Sequence, residues 1–226
     1  MIVAIDGPAG AGKSSVSQEV ARRLGFQLLD TGAIYRSVAL MAKRAGVDEA
    51  DGEAVAAIAA RLRVRFEMRG ALNTVHAALD EDPFEEVTAQ IRTPEVSQSA
   101  SRTSAHPPVR AALLELQRRI GRAQPSVVEG RDIGTVVFPD AKVKVFLTAS
   151  PLARAERRRA QLLASASDPA SVPSLESIAA EIAERDERDQ NRPVAPLRPA
   201  PDAVWVDSTG VSPDEVTAQI VGLVQP

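Results

Sequence analysis

The 226-residue chain contains no cysteine, which excludes disulfides, zinc–thiolate sites and thiol nucleophiles. Histidine is nearly as scarce. His76 and His106 are the only two; one falls in a hairpin-like stretch and the other in a proline-flanked turn, so both are expected at the surface. A histidine-based acid–base centre has little material here. Lysine is confined to Lys13, Lys43, Lys142 and Lys144, which leaves 23 arginines among the 27 basic residues. The formal net charge of −3 gives no general pull toward nucleic acid or acidic membranes. No apolar run approaches the length that crosses a bilayer, and no basic segment precedes a long apolar stretch at the N-terminus. These absences favour a cytoplasmic protein with neither nucleic acid nor membrane as partner. At 44% hydrophobic residues, a chain of this length supports one α/β domain with room for a small insertion.

What is present begins with Gly7-Pro8-Ala9-Gly10-Ala11-Gly12-Lys13-Ser14, which fits the phosphate-binding pattern G-x-x-x-x-G-K-[ST]. The apolar run Ile2-Val3-Ala4-Ile5 precedes it, and Val16, Val20, Ala21 and Leu24 follow at helical spacing. That is the strand–loop–helix context the motif requires. Glycines let successive N–H groups curl around a phosphate, and the helix N-terminus adds its positive end. Lys13 can reach the β- and γ-phosphates, and the Ser14 hydroxyl suits a bound Mg²⁺.

Five segments have the length and apolar content of buried strands: Ile2 to Ile5, Phe26 to Leu29, Val127 to Val128, Val143 to Leu147 and Val204 to Val206. Asp6, Asp30, Glu129 and Asp207 follow four of them. Helical patterns lie between, at about 13–24, 33–46, 107–123, 151–164, 174–190 and 212–223. Such alternation argues for an open parallel sheet covered on both faces, with ligands at the carboxyl ends of the strands. Residues 62 to 92 break the pattern. Arg63 to Glu67 alternates polar with apolar, Arg69-Gly70 offers a turn, and Asn73 to Ala77 continues as a strand, so a small antiparallel insert is expected. Ala164 to Ser174 is rich in Ser, Ala and Pro and is expected to be mobile. Pro193, Pro196, Pro199 and Pro201 make an extended connector.

Three further clusters carry chemistry. Leu29-Asp30-Thr31-Gly32-Ala33-Ile34-Tyr35-Arg36 ends one strand and opens a helix, Glu129-Gly130-Arg131-Asp132-Ile133-Gly134-Thr135 ends another, and Glu184 to Arg192 is a charged helix end. Taken singly, such Arg–Asp repeats are ordinary surface pairs worth tenths of a kcal/mol. Arginines arriving from several strand ends, opposite a phosphate loop, suit an anionic acceptor instead. The assembled set resembles the bacterial cytidylate kinases, a branch of the nucleoside monophosphate kinases. The resemblance spans essentially the whole chain. It rests on IDGPAGAGKSS, LLDTGAIYR, IRTPEVS, GRDIGTVVFPDA, ARAERRR, and ERDERDQNR followed by PVAPL and DST.

The resemblance implies a three-layer phosphate-loop fold with a five-stranded parallel sheet. It divides the chain into a core (1–61, 93–152 and 171–226), a monophosphate-binding insert at about 62–92 and a short helical lid at about 153–170. It implies MgATP-dependent phosphorylation of CMP and dCMP. Gly7, Pro8, Ala9, Gly10, Ala11, Gly12, Lys13, Ser14 and Ser15 would bind ATP, with Ser14 on the metal. Arg36, Arg131 and Arg192 would hold the acceptor phosphate, and Tyr35, Arg185 and Asp189 would lie along its sugar. Ser101, Arg110 and Asp132 would read the cytosine. Arg154, Arg157 and Arg158 would close over the transferring group beside Lys13 and Arg131. Thr31 keeps the hydroxyl where the family also uses serine.

Two other classes fit a phosphate loop. A GTP-dependent switch would want an N-K-x-D element, which is missing, and a D-x-x-G element near mid-domain, whereas Asp207-Ser208-Thr209-Gly210 lies near the C-terminal end. A kinase acting on a neutral alcohol would have less use for four or more arginines around its acceptor.

Overall fold

The apolar runs at 2–5, 127–128 and 143–147 become strands buried on both faces, as the inner strands of a parallel sheet demand, whereas the run at 204–206 forms an edge strand with Val204 and Trp205 exposed. The computed structural model describes residues 1–69, 72–166 and 168–224. Gly70, which the turn at Arg69-Gly70 requires, lies outside the described residues, as does Ser167 within the Ala164–Ser174 stretch. The elements in chain order are β1 (Ile2–Asp6), α1 (Lys13–Leu24), β2 (Gln27–Asp30), α2 (Thr31–Arg44), α3 (Gly52–Arg61), β3 (Leu62–Arg69), β4 (Leu72–Leu79) and β5 (Glu85–Glu86). They continue with α4 (Pro94–Thr103), α5 (Pro107–Arg122), β6 (Ser126–Gly130), β7 (Val143–Thr148), α6 (Pro151–Ser165), α7 (Leu175–Asn191), β8 (Val204–Asp207) and α8 (Pro213–Val224).

The main sheet has the order β2-β6-β1-β7-β8 and is parallel throughout. Alternate side chains point to opposite faces. Val3, Ile5, Val127, Val145 and Leu147 pack with Val16, Val20, Val216 and Ile220 of α1 and α8. Ala4, Leu29 and Val128 pack with α2, α3 and α5 on the other face. All five expected strands lie in this sheet, so the three-layer α/β expectation holds. From β1 the chain crosses to β2 on one side, and the later connection from β6 to β7 passes to the other side of β1. The crevice at the strand ends beside β1 is therefore the place where such sheets bind ligands.

The antiparallel excursion is a separate sheet, β3-β4-β5. It corrects the expectation for His76. This residue sits on the central strand β4, opposite Arg65 and next to Glu86, and is 6% exposed. Asn73 to Ala78 are buried in succession, so both faces of this strand are covered and neither leaves a side chain in solvent. His106 is half-buried, with its Nε2 2.9 Å from the Glu49 carbonyl oxygen. Helices α3 and α4 were not expected. Both carry start signals: the Asp51 side chain caps Ala54 N–H, and Thr93 caps Val96 N–H ahead of Pro94 at the first helical position.

Helix α5 meets the sheet through a glycine. A Cβ on Gly121 would lie 2.6 Å from Phe138 Cζ, and Phe138 is fully enclosed. Replacing a helix-interior glycine by alanine gains up to about 1 kcal/mol of propensity, whereas overpacking a rigid core costs about 1–3 kcal/mol. Gly121→Ala is therefore expected to lower stability by about 1 kcal/mol in a denaturant titration. A stabilised variant would show that Phe138 can move aside.

Candidate active site

The phosphate loop leaves β1 at Gly7, where a Cβ would fall 1.9 Å from the Leu147 carbonyl oxygen. Only glycine lets the two backbones pass. Gly12 takes a left-handed conformation (φ 90°) and hands the chain to α1. Lys13 Nζ folds across the loop and donates to the carbonyl oxygens of Gly7 and Pro8, both at 2.7 Å. Burial and then the neighbouring Arg131 hold its pKa well below the ordinary lysine value, while Glu129 and Asp6 act the other way.

Ser14 Oγ donates to Glu129 Oε1 at 2.9 Å. The other carboxylate oxygen, Glu129 Oε2, is buried without a hydrogen-bond partner. Burial, followed by the nearby Asp30 carboxylate, raises the Glu129 pKa to about 7. Sequence reasoning noted Glu129 at a strand end but gave it no role; its position at the tip of a strand paired with β1 was the available signal. Thr31 Oγ1 donates to the Glu129 carbonyl oxygen at 2.7 Å, so this hydroxyl fastens α2 to β6.

A cleft of about 770 Å³ opens from the loop across the strand ends. It brings together nearly all the residues singled out from the sequence, and its far wall is arginine-rich. Arg36 donates to Asp30 Oδ2 at 2.7 Å and Arg131 Nε to Asp189 Oδ2 at 2.9 Å. The Nε atoms of Arg36 and Arg185 are buried without a partner. Burial, then the Arg131 charge, lowers the Arg185 pKa to about 10. Burial alone would raise Asp189, but Arg131, Arg185 and Arg192 together hold it below the usual carboxylate range.

At the deep end Arg110 pairs with Asp132 Oδ2, and the guanidinium carbon lies 5.4 Å from the centroid of the Tyr35 ring. Asp132 Oδ1 also accepts from Arg192 at 3.3 Å. Arg192 is enclosed, with its Nε donating to the Ala195 carbonyl oxygen at 2.5 Å. Ser101 Oγ accepts from Arg188 at 2.8 Å, which adds to the cleft an arginine that had been assigned no role.

The three arginines of α6 separate in space. Arg154 is buried against Asp186 and the Ala9 carbonyl. Arg157 donates to Ser208 Oγ at 2.9 Å and to the Ser208 carbonyl oxygen at 2.5 Å. Arg157 and Arg158 line the cleft, and Arg154 does not. One helical face does not deliver all three to one point.

A parallel sheet with a glycine-rich loop after its first strand, opening on an arginine-lined cleft, defines an α/β nucleotide-kinase fold. Comparison with known proteins gives the family. A model described as cytidylate kinase matches residues 3–226, and the chain belongs to the cytidylate kinase family. It is 46% identical over 97% of its length to a cytidylate kinase of Shewanella amazonensis, covering 92% of that protein. It is 45% identical over its whole length to one of Mycobacterium leprae, covering 96%. A bifunctional pantoate ligase/cytidylate kinase of a Synechococcus species is 49% identical over 98% of this chain, which spans 42% of that longer protein. The chain is accordingly a kinase.

Glu129 and Asp6 give the site a pH signature. Burial raises Asp6 to about 6 and Glu129 to about 7, above their ordinary values of 3.8 and 4.5. The folded state thus holds these protons more tightly than the unfolded chain. Stability is lost as pH rises from about 4 to about 7 and is not regained above it. A rise of two to three units for one group corresponds to roughly 3 kcal/mol. Glu129→Gln removes that penalty, so its Tm should exceed that of the wild type at pH 8 and converge with it near pH 5. A Tm difference independent of pH would show that Glu129 is charged at no cost in the fold.

Proposed function

We propose that the chain transfers the γ-phosphoryl group of ATP directly to the phosphate of CMP or dCMP, releasing ADP and CDP or dCDP. The observation that carries this reading is the continuity of the cleft. It runs from Lys13 and Ser14, past the unpartnered Arg36 and Arg185 nitrogens, to the Arg110–Asp132 pair over Tyr35. A donor phosphate chain, an acceptor phosphate and a base fit along it in that order.

An acceptor phosphate oxygen attacks the γ-phosphorus while the bond to the β–γ bridging oxygen breaks, and ADP takes the electron pair. The acceptor is already largely ionised at pH 7, so no strong general base is required. Catalysis then consists of alignment and charge neutralisation. Lys13 and the loop N–H groups hold the donor. Arg36 and Arg131 grip the acceptor phosphate, backed by Arg192, with Tyr35, Arg185 and Asp189 along the sugar. Arg157 and Arg158 on α6 bear on the transferring group. We take 62–92 as the monophosphate-binding insert and 153–170 as the lid whose closure excludes water. We take the protein to be a cytoplasmic monomer working on small molecules.

The Ser14 hydroxyl and the unpartnered Glu129 Oε2 are hard oxygen donors that suit Mg²⁺ carried in on the nucleotide. Among the described residues no three His, Cys, Asp or Glu side chains gather to hold a metal without it. The ion would add charge neutralisation at the phosphates.

ADP release measured with CMP, dCMP, UMP, AMP and GMP tests the reading, with CMP and dCMP expected to lead. Lys13→Ala should cut the CMP-dependent rate by two or more orders of magnitude with the fold retained. More than about a tenth of wild-type activity in that variant would overturn the loop assignment.

Base choice follows from donors and acceptors. Cytosine offers an N4 amine and an N3 acceptor, and uracil reverses both. Arg110 only donates, whereas the Asp132 carboxylate, already accepting from two arginines, has lone pairs left for an amine. Uracil would leave like groups facing each other, which a dry site penalises heavily. Arg110→Met and Asp132→Ala each strand a buried charge and will cost stability. The ratio of kcat/KM for CMP to that for UMP does not depend on how much enzyme is folded. That ratio should fall at least tenfold in each variant; an unchanged ratio in both would remove the pair from base recognition.

A further inference from the structure

Two residues far along the chain grip the crest of the phosphate loop. Asp186 on α7 accepts the Ala9 N–H on Oδ1 at 3.2 Å, and its Oδ2 pairs with Arg154 on α6. Arg154 Nη1 also donates to the Ala9 carbonyl oxygen at 3.0 Å, and its Nε to the Ala149 carbonyl oxygen at 3.2 Å. Asp186 and Arg154 are both buried. The loop runs tight against them, since a Cβ on Gly10 would lie 3.0 Å from Arg154 Cβ.

A trans peptide is planar, with its C=O and N–H pointing in opposite directions. No peptide in the chain is cis. In the Pro8–Ala9 peptide, the N–H turned outward to Asp186 points the Pro8 carbonyl inward, where it accepts from Lys13 Nζ at 2.7 Å. In the Ala9–Gly10 peptide, the carbonyl turned outward to Arg154 points the Gly10 N–H inward. Two side chains outside the motif thereby set the direction of one loop donor and the resting place of the loop lysine.

We infer that Arg154 and Asp186 act as a positioning pair for the nucleotide phosphates, orienting the peptides on either side of Ala9. Arg154 works through the loop and does not itself reach the transferring group. This rests on the reading of the loop as the ATP site.

ADP binding followed by calorimetry, with CMP binding and Tm measured alongside, tests the inference. Arg154→Met and Asp186→Ala should each weaken ADP about tenfold or more and leave CMP within twofold. Asp186→Asn keeps an acceptor for Ala9 N–H and should fall between them and the wild type. The double variant Arg154→Met/Asp186→Leu removes both charges together, and apolar replacement of a buried pair is commonly neutral for stability. It should recover the wild-type Tm without recovering ADP affinity, an outcome that a merely structural pair does not produce. ADP affinity that returns with the Tm, or that stays within twofold of wild type in the folded single variants, overturns the inference. Calorimetry with ADP is blind to the acceptor. A wild type that binds ADP but does not phosphorylate CMP defeats the proposed reaction while leaving the positioning pair standing.

Discussion

The two hydrogen bonds accepted by Asp6 hold the rest of the site in register. Its carboxylate takes the Ile133 N–H on one oxygen and the Gly134 N–H on the other, each at 2.8 Å. Asp6 ends β1 and stands immediately before Gly7, while Ile133 and Gly134 come directly after Arg131 and Asp132. One buried side chain therefore fixes the phosphate loop relative to Arg131 and Asp132 across the cleft. The arrangement is costly, because burial outweighs the two N–H groups and leaves the carboxyl pKa raised to about 6. A carboxylate in such a place is retained for geometry, since an apolar residue would satisfy neither N–H.

The same trade runs through the cleft. Arg110, Asp132, Asp189 and Arg192 form a chain of close charges with little access to water. Buried pairs of this kind add little net stability, yet removing one member leaves its partner stranded. Their value lies in fixing directions, as each guanidinium is held by a carboxylate at the wall of the cleft. Glu129 and Lys13 add groups whose charged forms the fold disfavours. A site made to meet several phosphate charges is expected to be destabilised in this way.

Much of this was legible in the sequence. Parallel strands are short apolar runs, and the loop motif has a fixed spacing, so β1, β6, β7 and the start of α1 could be read directly. Helix α3 escaped because GEAVAAIAAR has many small residues and little contrast between faces; α4 escaped because PEVSQSASRT is mostly polar. His76 was misplaced because alternation along a strand says which face a residue takes but not whether both faces are covered. Arg154, Arg157 and Arg158 stand at i, i+3 and i+4 on one face of α6, yet the ends of Arg154 and Arg157 part toward Asp186 and Ser208. Spacing fixes where a long side chain starts, and its partner decides where it ends.

Helix α7 shows where a pattern-based reading divides. As a string, Glu184 to Arg192 resembles a solvated run, and Arg188 with Glu184 does form an i,i+4 pair at 2.5 Å. Yet the stripe that begins with the buried Ile178 and Ile182 continues as Asp186, Asp189 and Arg192, all buried. The helix thus changes from an apolar to a charged inner face without changing its orientation. Asp186 meets the phosphate loop at Ala9, and one turn further on Asp189 meets Arg131. A single helix, fastened against α6 by Ile178, Ile182 and Ala155, therefore carries contacts to both halves of the cleft. Their relative positions are set by a helical rise of 1.5 Å per residue, a more rigid ruler than any of the loops that border the cleft.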